Sequence, residues 1–261
     1  MTLRSGLLAA TLLVAAPVAA KAQAVSGLYI GAGAGANFMH NQSVDRISFP
    51  ELGIGQTRIG ASARMDVGFV GLVSVGYGFG NGLRAEVEGS YRSNDLDSLE
   101  TRRINGALMA HPGAKGRVAS YAVMANLLYD FDLGGFGLPL RPYVGAGVGY
   151  GWLQHDDVTA DAVFLVSQPG RSTVLPGRVT SDGTGGAFAY QAIGGIAAPL
   201  RLFPGFEVTA EYRYFAMSET RISGERAVFG ATGGIPPAIG GKGHFDNHNH
   251  SILVGLRYVF N

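Results

Sequence analysis

The sequence predicts an all-β fold: an eight-stranded antiparallel up-and-down transmembrane β-barrel with four long extracellular loops and three short periplasmic turns. Three observations predict it. Apolar and polar residues alternate with a period of two in eight separate segments. The connections between those segments are alternately short and long. Outward-facing aromatic residues gather at two levels.

The first element precedes the barrel. Met1-Thr2-Leu3-Arg4 carries one positive charge, 6–20 is apolar and alanine-rich, and Ala22-Gln23-Ala24 fits a small-x-small cleavage site. This is the pattern of a secretory signal peptide over 1–24, leaving a barrel domain over 25–261. The apolar run is too short to span a bilayer comfortably. Its removal takes Arg4 and Lys21 from the 20 cationic residues, so 18 remain against 19 acids and the charge becomes −1.

The strands follow in order. In 28–38, Leu28, Ile30, Ala32, Ala34, Ala36 and Phe38 alternate with Tyr29, Gly31, Gly33, Gly35 and Asn37. Segment 67–79 carries Val67, Phe69, Val73, Val75, Tyr77 and Phe79 on one face. In 83–92, Leu83, Ala85, Val87, Gly89 and Tyr91 oppose Arg84, Glu86, Glu88, Ser90 and Arg92. Segments 119–131, 140–152 and 186–198 repeat the pattern, with Tyr121 to Phe131, Val144 to Trp152 and Phe188 to Ala198 on their apolar faces. In 206–215, Phe206, Val208, Ala210, Tyr212 and Tyr214 oppose Glu207, Thr209, Glu211 and Arg213. The last segment, 250–260, carries Ile252, Val254, Leu256, Tyr258 and Phe260. Helical spacing would scatter these charges round a cylinder, whereas the pleat of a strand puts them on one side. Each segment is about as long as a tilted membrane-spanning strand, roughly 9–11 residues.

Gly80-Asn81-Gly82, Asp132 to Pro139 and Pro199 to Gly205 are short connections, and those near 39–65, 93–117, 153–185 and 216–248 are long. With the N-terminus on the short-turn side, Tyr77, Phe79, Tyr129, Phe131, Phe206, Tyr258 and Phe260 lie near the short turns. Phe38, Phe69, Tyr91, Tyr121, Tyr150, Trp152, Phe188, Tyr212 and Tyr214 lie near the long loops. Two such girdles fit the two faces of a bilayer. An unpaired backbone group in lipid costs several kcal/mol, so the sheet is expected to close on itself.

Composition excludes the competing classes. No run of about 18 apolar residues follows the first two dozen positions, against a helical membrane protein. Aromatics at 10% argue against disorder. Cysteine is absent, which removes disulfide and thiol chemistry. A formal charge of +1 gives no reason to expect nucleic acid as a partner.

Gly27-Leu28-Tyr29-Ile30-Gly31-Ala32-Gly33-Ala34-Gly35, Glu211-Tyr212-Arg213-Tyr214 and Gly255-Leu256-Arg257-Tyr258-Val259-Phe260 resemble the OmpA-like family of eight-stranded outer-membrane barrels across the whole chain after the signal peptide. The resemblance implies residence in the outer membrane of a Gram-negative cell, contact with its lipid, and an assembly signal at Leu256, Tyr258 and Phe260 read by the outer-membrane assembly machinery. Longer members carry a periplasmic peptidoglycan-binding domain, which is expected to be missing here.

Eight strands enclose a lumen that side chains can fill. Strands four apart face each other, so Arg84, Glu86, Glu88 and Arg92 are expected to oppose Glu207, Glu211 and Arg213. Between them, Gly31, Gly33 and Gly35 oppose Gly145, Gly147, Gly149 and Gly151, two glycine walls that make room for the ions. Arg141, Arg257, Asp66 and Asp130 join them, giving five arginines against six carboxylates. A buried ion left unpaired costs several kcal/mol, so a hydrogen-bonded plug is expected.

Other motifs are weak. Gly31-Ala32-Gly33-Ala34-Gly35-Ala36 mimics a dinucleotide fingerprint, but no helix follows to hold a pyrophosphate. All six histidines (His40, His111, His155, His244, His248 and His250) fall in long loops or at their rim, and His248 and His250 share a strand face, as metal ligands could. His250-Ser251 point to opposite faces of a strand, which prevents a nucleophile–base pair. Val163-Phe164-Leu165-Val166 and Ser172-Thr173-Val174-Leu175 are too short to span and read as a hairpin standing above the membrane. Ile235-Pro236-Pro237 is an apolar loop tip, and Asn41-Gln42-Ser43 an uninformative glycosylation match.

No cofactor or metal is expected. The role such barrels carry is structural or surface-exposed: envelope integrity, adhesion, or recognition of an extracellular ligand or host surface through the loops. A narrow porin-like pore for small solutes comes second, and a lipid-modifying barrel enzyme third.

Overall fold

The computed structural model describes residues 24–260, apart from short stretches between 41 and 60 and the segments 102–113, 134–138, 169–170 and 230–238. The described elements are all strands, in chain order β1 (Ser26–Met39), β2 (Gln42–Val44), β3 (Ile47–Phe49), β4 (Ile54–Thr57), β5 (Ala61–Met65), β6 (Gly68–Phe79), β7 (Leu83–Thr101), β8 (Ala114–Asp130), β9 (Arg141–Gln168), β10 (Arg171–Pro199), β11 (Phe206–Phe229) and β12 (Ile239–Val259). Eight of them, β1 and β6 to β12, make the wall, each antiparallel to the next, and β12 pairs with β1 to close the ring. Closure leaves no row of unpaired amides facing lipid. The four short strands extend the sheet at the outer end, where β5 pairs with β7 and β3 with β12.

Alternation sets which side chains face out. Val73, Val75, Val87, Val123, Leu127, Val148, Ile196 and Val254 are all exposed on the outer wall. In water so large an apolar surface would aggregate; in a bilayer it meets hydrocarbon. Near the short turns, Tyr77 packs on Phe79, Tyr129 on Phe131 and Tyr258 on Phe260. Near the other end, Tyr91 meets Tyr121, Tyr150 meets Trp152 and Tyr190 meets Tyr214. The membrane-spanning part lies between these two belts.

The turn between β6 and β7 needs its glycines. Gly80 and Gly82 have φ of +77° and +91°, a region that side chains strain to enter, and Asn81 Oδ1 accepts the Leu83 amide at 3.1 Å.

The outer ends differ from expectation. The stretches 153–185 and 216–248, expected as loops, are largely strand. β9 and β10 stay paired out to Gln168 and Arg171. The expected hairpin at Val163–Val166 and Ser172–Leu175 is the distal part of that ribbon. Once a strand pair leaves the bilayer both faces are wet, so hydrophobic alternation fades while the backbone ladder continues. Apart from Ala24, the expected signal peptide lies outside the described residues, as do Asn41, His111, Ile235-Pro236-Pro237 and the side chain of His244.

Candidate functional site

The lumen holds the charged side chains that the alternation turned inward. Its lower layer, toward the short turns, is a chain of alternating charge. Arg84 Nε donates to both oxygens of Asp130 at 3.0 Å, and Arg141 Nε stands 3.7 Å from the same carboxylate. Arg141 Nη2 pairs with Glu207, and Arg257 Nη1 reaches the other Glu207 oxygen at 3.1 Å. Two inward tyrosines fill the space between. The guanidinium carbons of Arg84 and Arg257 both lie 5.0–5.3 Å from the ring centres of Tyr29 and Tyr143. Tyr29 and Tyr143 come from opposite walls, so these contacts cross the lumen. Stacking of this kind is favourable because a guanidinium is weakly hydrated and the ring face is negative.

The middle layer joins β7 to β11 directly. Arg213 donates through Nη1 to Glu88 and through Nε to Glu211, the latter at 2.7 Å. Glu88 Oε2 also accepts from Asn126 at 2.9 Å and Gln191 at 3.2 Å. Glu86 accepts from Tyr29 Oη at 2.9 Å and from Asn126 at 3.0 Å, and Tyr143 Oη donates to Glu211. Neutral amides and phenols spread each charge over several donors, which offsets the loss of water.

The outer half of the lumen departs from the expected ionic interior. Met39, Val118, Ala122, Met124, Leu153, Ala187, Ala189, Phe215 and Met217 form one buried apolar cluster inside the barrel. Arg92 lies over the Phe215 ring at 4.0 Å. Beside the cluster, Asn37 donates to Asn94 and Asn249, and Ser251 donates to Asn37. Burial pushes the His155 imidazole, beyond the outer belt, down to about 4. Asp66 does not join the interior charges. It is exposed at the mouth, where its carbonyl accepts from Asn94. Among the described residues the interior therefore holds five arginines and five carboxylates.

The glycine walls also work differently from expectation. A Cβ on Gly147 would fall 1.9 Å from Asn126 Oδ1, and one on Gly76 would fall 2.3 Å from the Tyr29 ring. Gly145, Gly149 and Gly195 likewise give way to Leu128, Met124 and Tyr143. The room goes first to side chains of the adjacent strand, and of these Tyr29, Asn126 and Tyr143 reach the carboxylates. Sequence reasoning put Tyr29 on the polar face but gave it no role. The signal was there in its phase with Gly31 and Gly33.

On the outer wall His248 and His250 interdigitate with tyrosines of β11. Tyr212 Oη lies 2.6 Å from His250 Nδ1, and Tyr214 Oη 2.8 Å from His248 Nδ1. Ser251 faces the lumen, so His250 cannot activate it. Among the described residues no three His, Cys, Asp or Glu side chains gather as a metal site would require.

A closed ring of eight antiparallel strands, greasy outside between two aromatic belts and carrying paired ions and an apolar cluster inside, is an outer-membrane β-barrel. The chain belongs to the outer membrane protein beta-barrel domain family, whose model matches residues 6–260, and its place is the outer membrane of a Gram-negative cell. An outer membrane protein of Gluconacetobacter diazotrophicus is 37% identical over 265 residues, covering 100% of this chain and 65% of that protein. The opacity protein opA58 of Neisseria gonorrhoeae is 27% identical over 161 residues, covering 54% of this chain and 61% of that protein. The chain thus spans less than two thirds of the length of either relative. The crystal structure of the outer membrane protein OprG from Pseudomonas aeruginosa superposes with a TM-score of 0.52 at 15% identity, covering 92% of this chain and 100% of that one. That likeness shows the fold alone.

Proposed function

We propose that this barrel is a non-enzymatic surface-display protein. An ionic network plugs its lumen, and its extracellular extensions meet an external ligand or a host surface. The length of β9 and β10 carries the reading. They run 28 and 29 residues, where crossing a bilayer takes roughly 9–11. From Trp152 in the outer belt to Gln168 the ribbon extends about 50 Å along the strand. Structure held that far from the membrane is placed to touch what lies outside the cell.

The plug is supported by the Arg213–Glu88 pair, which joins opposite walls, and by the apolar cluster above it. The absence of catalysis is supported by the divergence of His250 and Ser251. In this reading residues 1–24 are removed on export. Leu256 and Phe260, exposed on the lipid side of the closing strand beside Tyr258, serve with it as the signal for the assembly machinery. One observation favours the second reading, a narrow pore. A cavity of about 20 Å³ between the β1 wall and the network, lined by Glu86, Glu211, Arg213 and Arg257, has room for about one water.

Two measurements test the proposal. In planar bilayers the refolded barrel gives no stable open level; large, steady channels would establish the pore instead. Cells displaying the full barrel bind host matrix or glycan surfaces. A version shortened by removal of residues 156–181 keeps its place and heat-modifiable gel mobility but loses that binding. Equal binding by the two forms would refute display through this ribbon.

A further inference from the structure

Arg92 lies next to the middle layer, within electrostatic reach of Glu88 and Arg213, but makes no contact ion pair among the described residues. It is 1% exposed. Its guanidinium face is covered by Phe215, and Nη1 donates to Ser90 Oγ at 3.0 Å. Nε and Nη2 reach no acceptor among the described residues. These two nitrogens make the lateral edge of the guanidinium, beside its stem, and their N–H bonds on that edge run parallel. That edge is the fork that grips both oxygens of a carboxylate.

The other four interior arginines each meet a carboxylate: Arg84 with Asp130, Arg141 and Arg257 with Glu207, and Arg213 with Glu88 and Glu211. Glu88, one full pleat period below Ser90 on β7, gives its Oε2 to Arg213, Asn126 and Gln191. Directly across the ladder from Arg92 is Ser120 on β8. It is buried on the same inward face, and its Oγ also lacks a partner among the described residues.

We propose that Arg92 and Ser120 form a binding site for a small planar oxyanion, a carboxylate of formate or acetate size, held in the outer half of the lumen. The nearest carboxylate, Glu88, acts on the Arg92 charge but gives the fork no acceptor, and a buried donor left without an acceptor is costly. The Phe215 ring fixes the plane of the guanidinium, and because the fork edge is closed off from solvent, a ligand enters only as side chains of the apolar cluster shift. Two parallel donors, with a hydroxyl on the neighbouring strand, select a planar group with two oxygens over a spherical ion. The apolar cluster, with Met124 and Leu153 in it, keeps the ligand small and excludes bulk water, which strengthens each hydrogen bond. The site is independent of whether the barrel displays a ligand-binding surface or conducts.

The barrel refolded in micelles with ¹⁵N-labelled arginine provides the test. The Arg92 Nε–H resonance is identified by its loss in Arg92→Lys, or by the ring-current change in Phe215→Leu if the first variant does not fold. Sodium formate and sodium acetate move this resonance saturably, and sodium chloride at equal ionic strength acts about ten-fold more weakly. The Nε–H resonances of Arg84, Arg141, Arg213 and Arg257 stay in place, and Ser120→Ala weakens formate binding several-fold. Glu88 Oε1 and Gln191 Oε1, in the layer below, also lack donors. Water linking them to Arg92 is therefore the rival arrangement. No saturable movement with either carboxylate, or an equal drift in all three salts, would mean that water answers the fork, and the proposal would be overturned.

Discussion

Replacing Arg213 by methionine is the sharpest test of how the lumen is held. The side chain is 2% exposed and serves two carboxylates, Glu88 at 0% and Glu211 at 11% exposure. Methionine fills similar space without charge, so the loss is electrostatic rather than a cavity. Breaking a buried pair from one side costs about 3–5 kcal/mol, because the abandoned charge stays buried. Here the abandonment is partial. Glu88 keeps Asn126 and Gln191 as donors, and Glu211 keeps the Tyr143 hydroxyl. The expected loss is therefore about 3 kcal/mol, the lower end of that range. Adding Glu88→Gln removes one orphaned charge and restores part of the loss, with a coupling of about 0.5–3 kcal/mol. Urea unfolding from lipid vesicles, followed by tryptophan fluorescence of Trp152, measures both. If Arg213→Met stays within about 0.5 kcal/mol of the parent, as an ordinary surface change would, the network does not hold the walls together.

Other outcomes follow from single contacts. His155 is held neutral by burial, with its value lowered to about 4 from the ordinary 6.5. The unfolded chain binds the extra proton first, so stability falls as pH drops from about 6.5 to about 4 and is flat above. A His155→Gln barrel shows a weaker loss in thermal scans across that window; an unchanged slope would assign the acid sensitivity elsewhere. Gly147→Ala drives a methyl into Asn126 and costs about 1–3 kcal/mol, whereas Gly194→Ala meets nothing within 4 Å and is tolerated. Comparable heat-induced gel shifts for the two variants would disprove this account of the glycines. Phe260→Ser leaves the fold's hydrogen bonds intact, since only the Phe260 amide donates to Leu28. It nevertheless slows assembly in cells, visible as unfolded precursor; normal assembly would remove the terminal aromatic from the signal.

Much of this molecule was legible because one rule, the two-residue pleat, governs every wall strand. Phase alone turned Arg84, Glu88 and Arg213 inward and Val73, Val148 and Val254 outward. The same phase also turned Met124, Leu153 and Phe215 inward, yet their meaning was hidden by the expectation that a barrel interior is polar. That expectation suits wide, water-filled channels. In an eight-stranded barrel the lumen is narrow enough to be a core, and a core accepts apolar side chains. Asp66 shows where the rule stops. It lies before Gly68, the first residue of β6, beyond the reach of the pleat. The length of β9 and β10 was hidden for another reason. Gln154, Asp156 and Thr159 interrupt the apolar alternation, so their order does not distinguish a paired ribbon from a loop.

The paired ions of the lumen also bear on what kind of function to seek. Strand number and tilt fix the width of a small barrel before any side chain is chosen. Tyr29, Asn126 and Tyr143, which tie into the ionic network, fit inside only where the facing wall is bare, and Gly76, Gly147 and Gly195 stand opposite them. Once arginines are inside, desolvation demands carboxylates, and carboxylates demand donors such as Asn126 and Gln191. Each paired ion is thus explained by the one next to it, and the network needs no ligand to account for it. Function is better sought where this logic breaks: at Arg92, whose fork no described carboxylate answers, and along β9 and β10, whose length no bilayer requires.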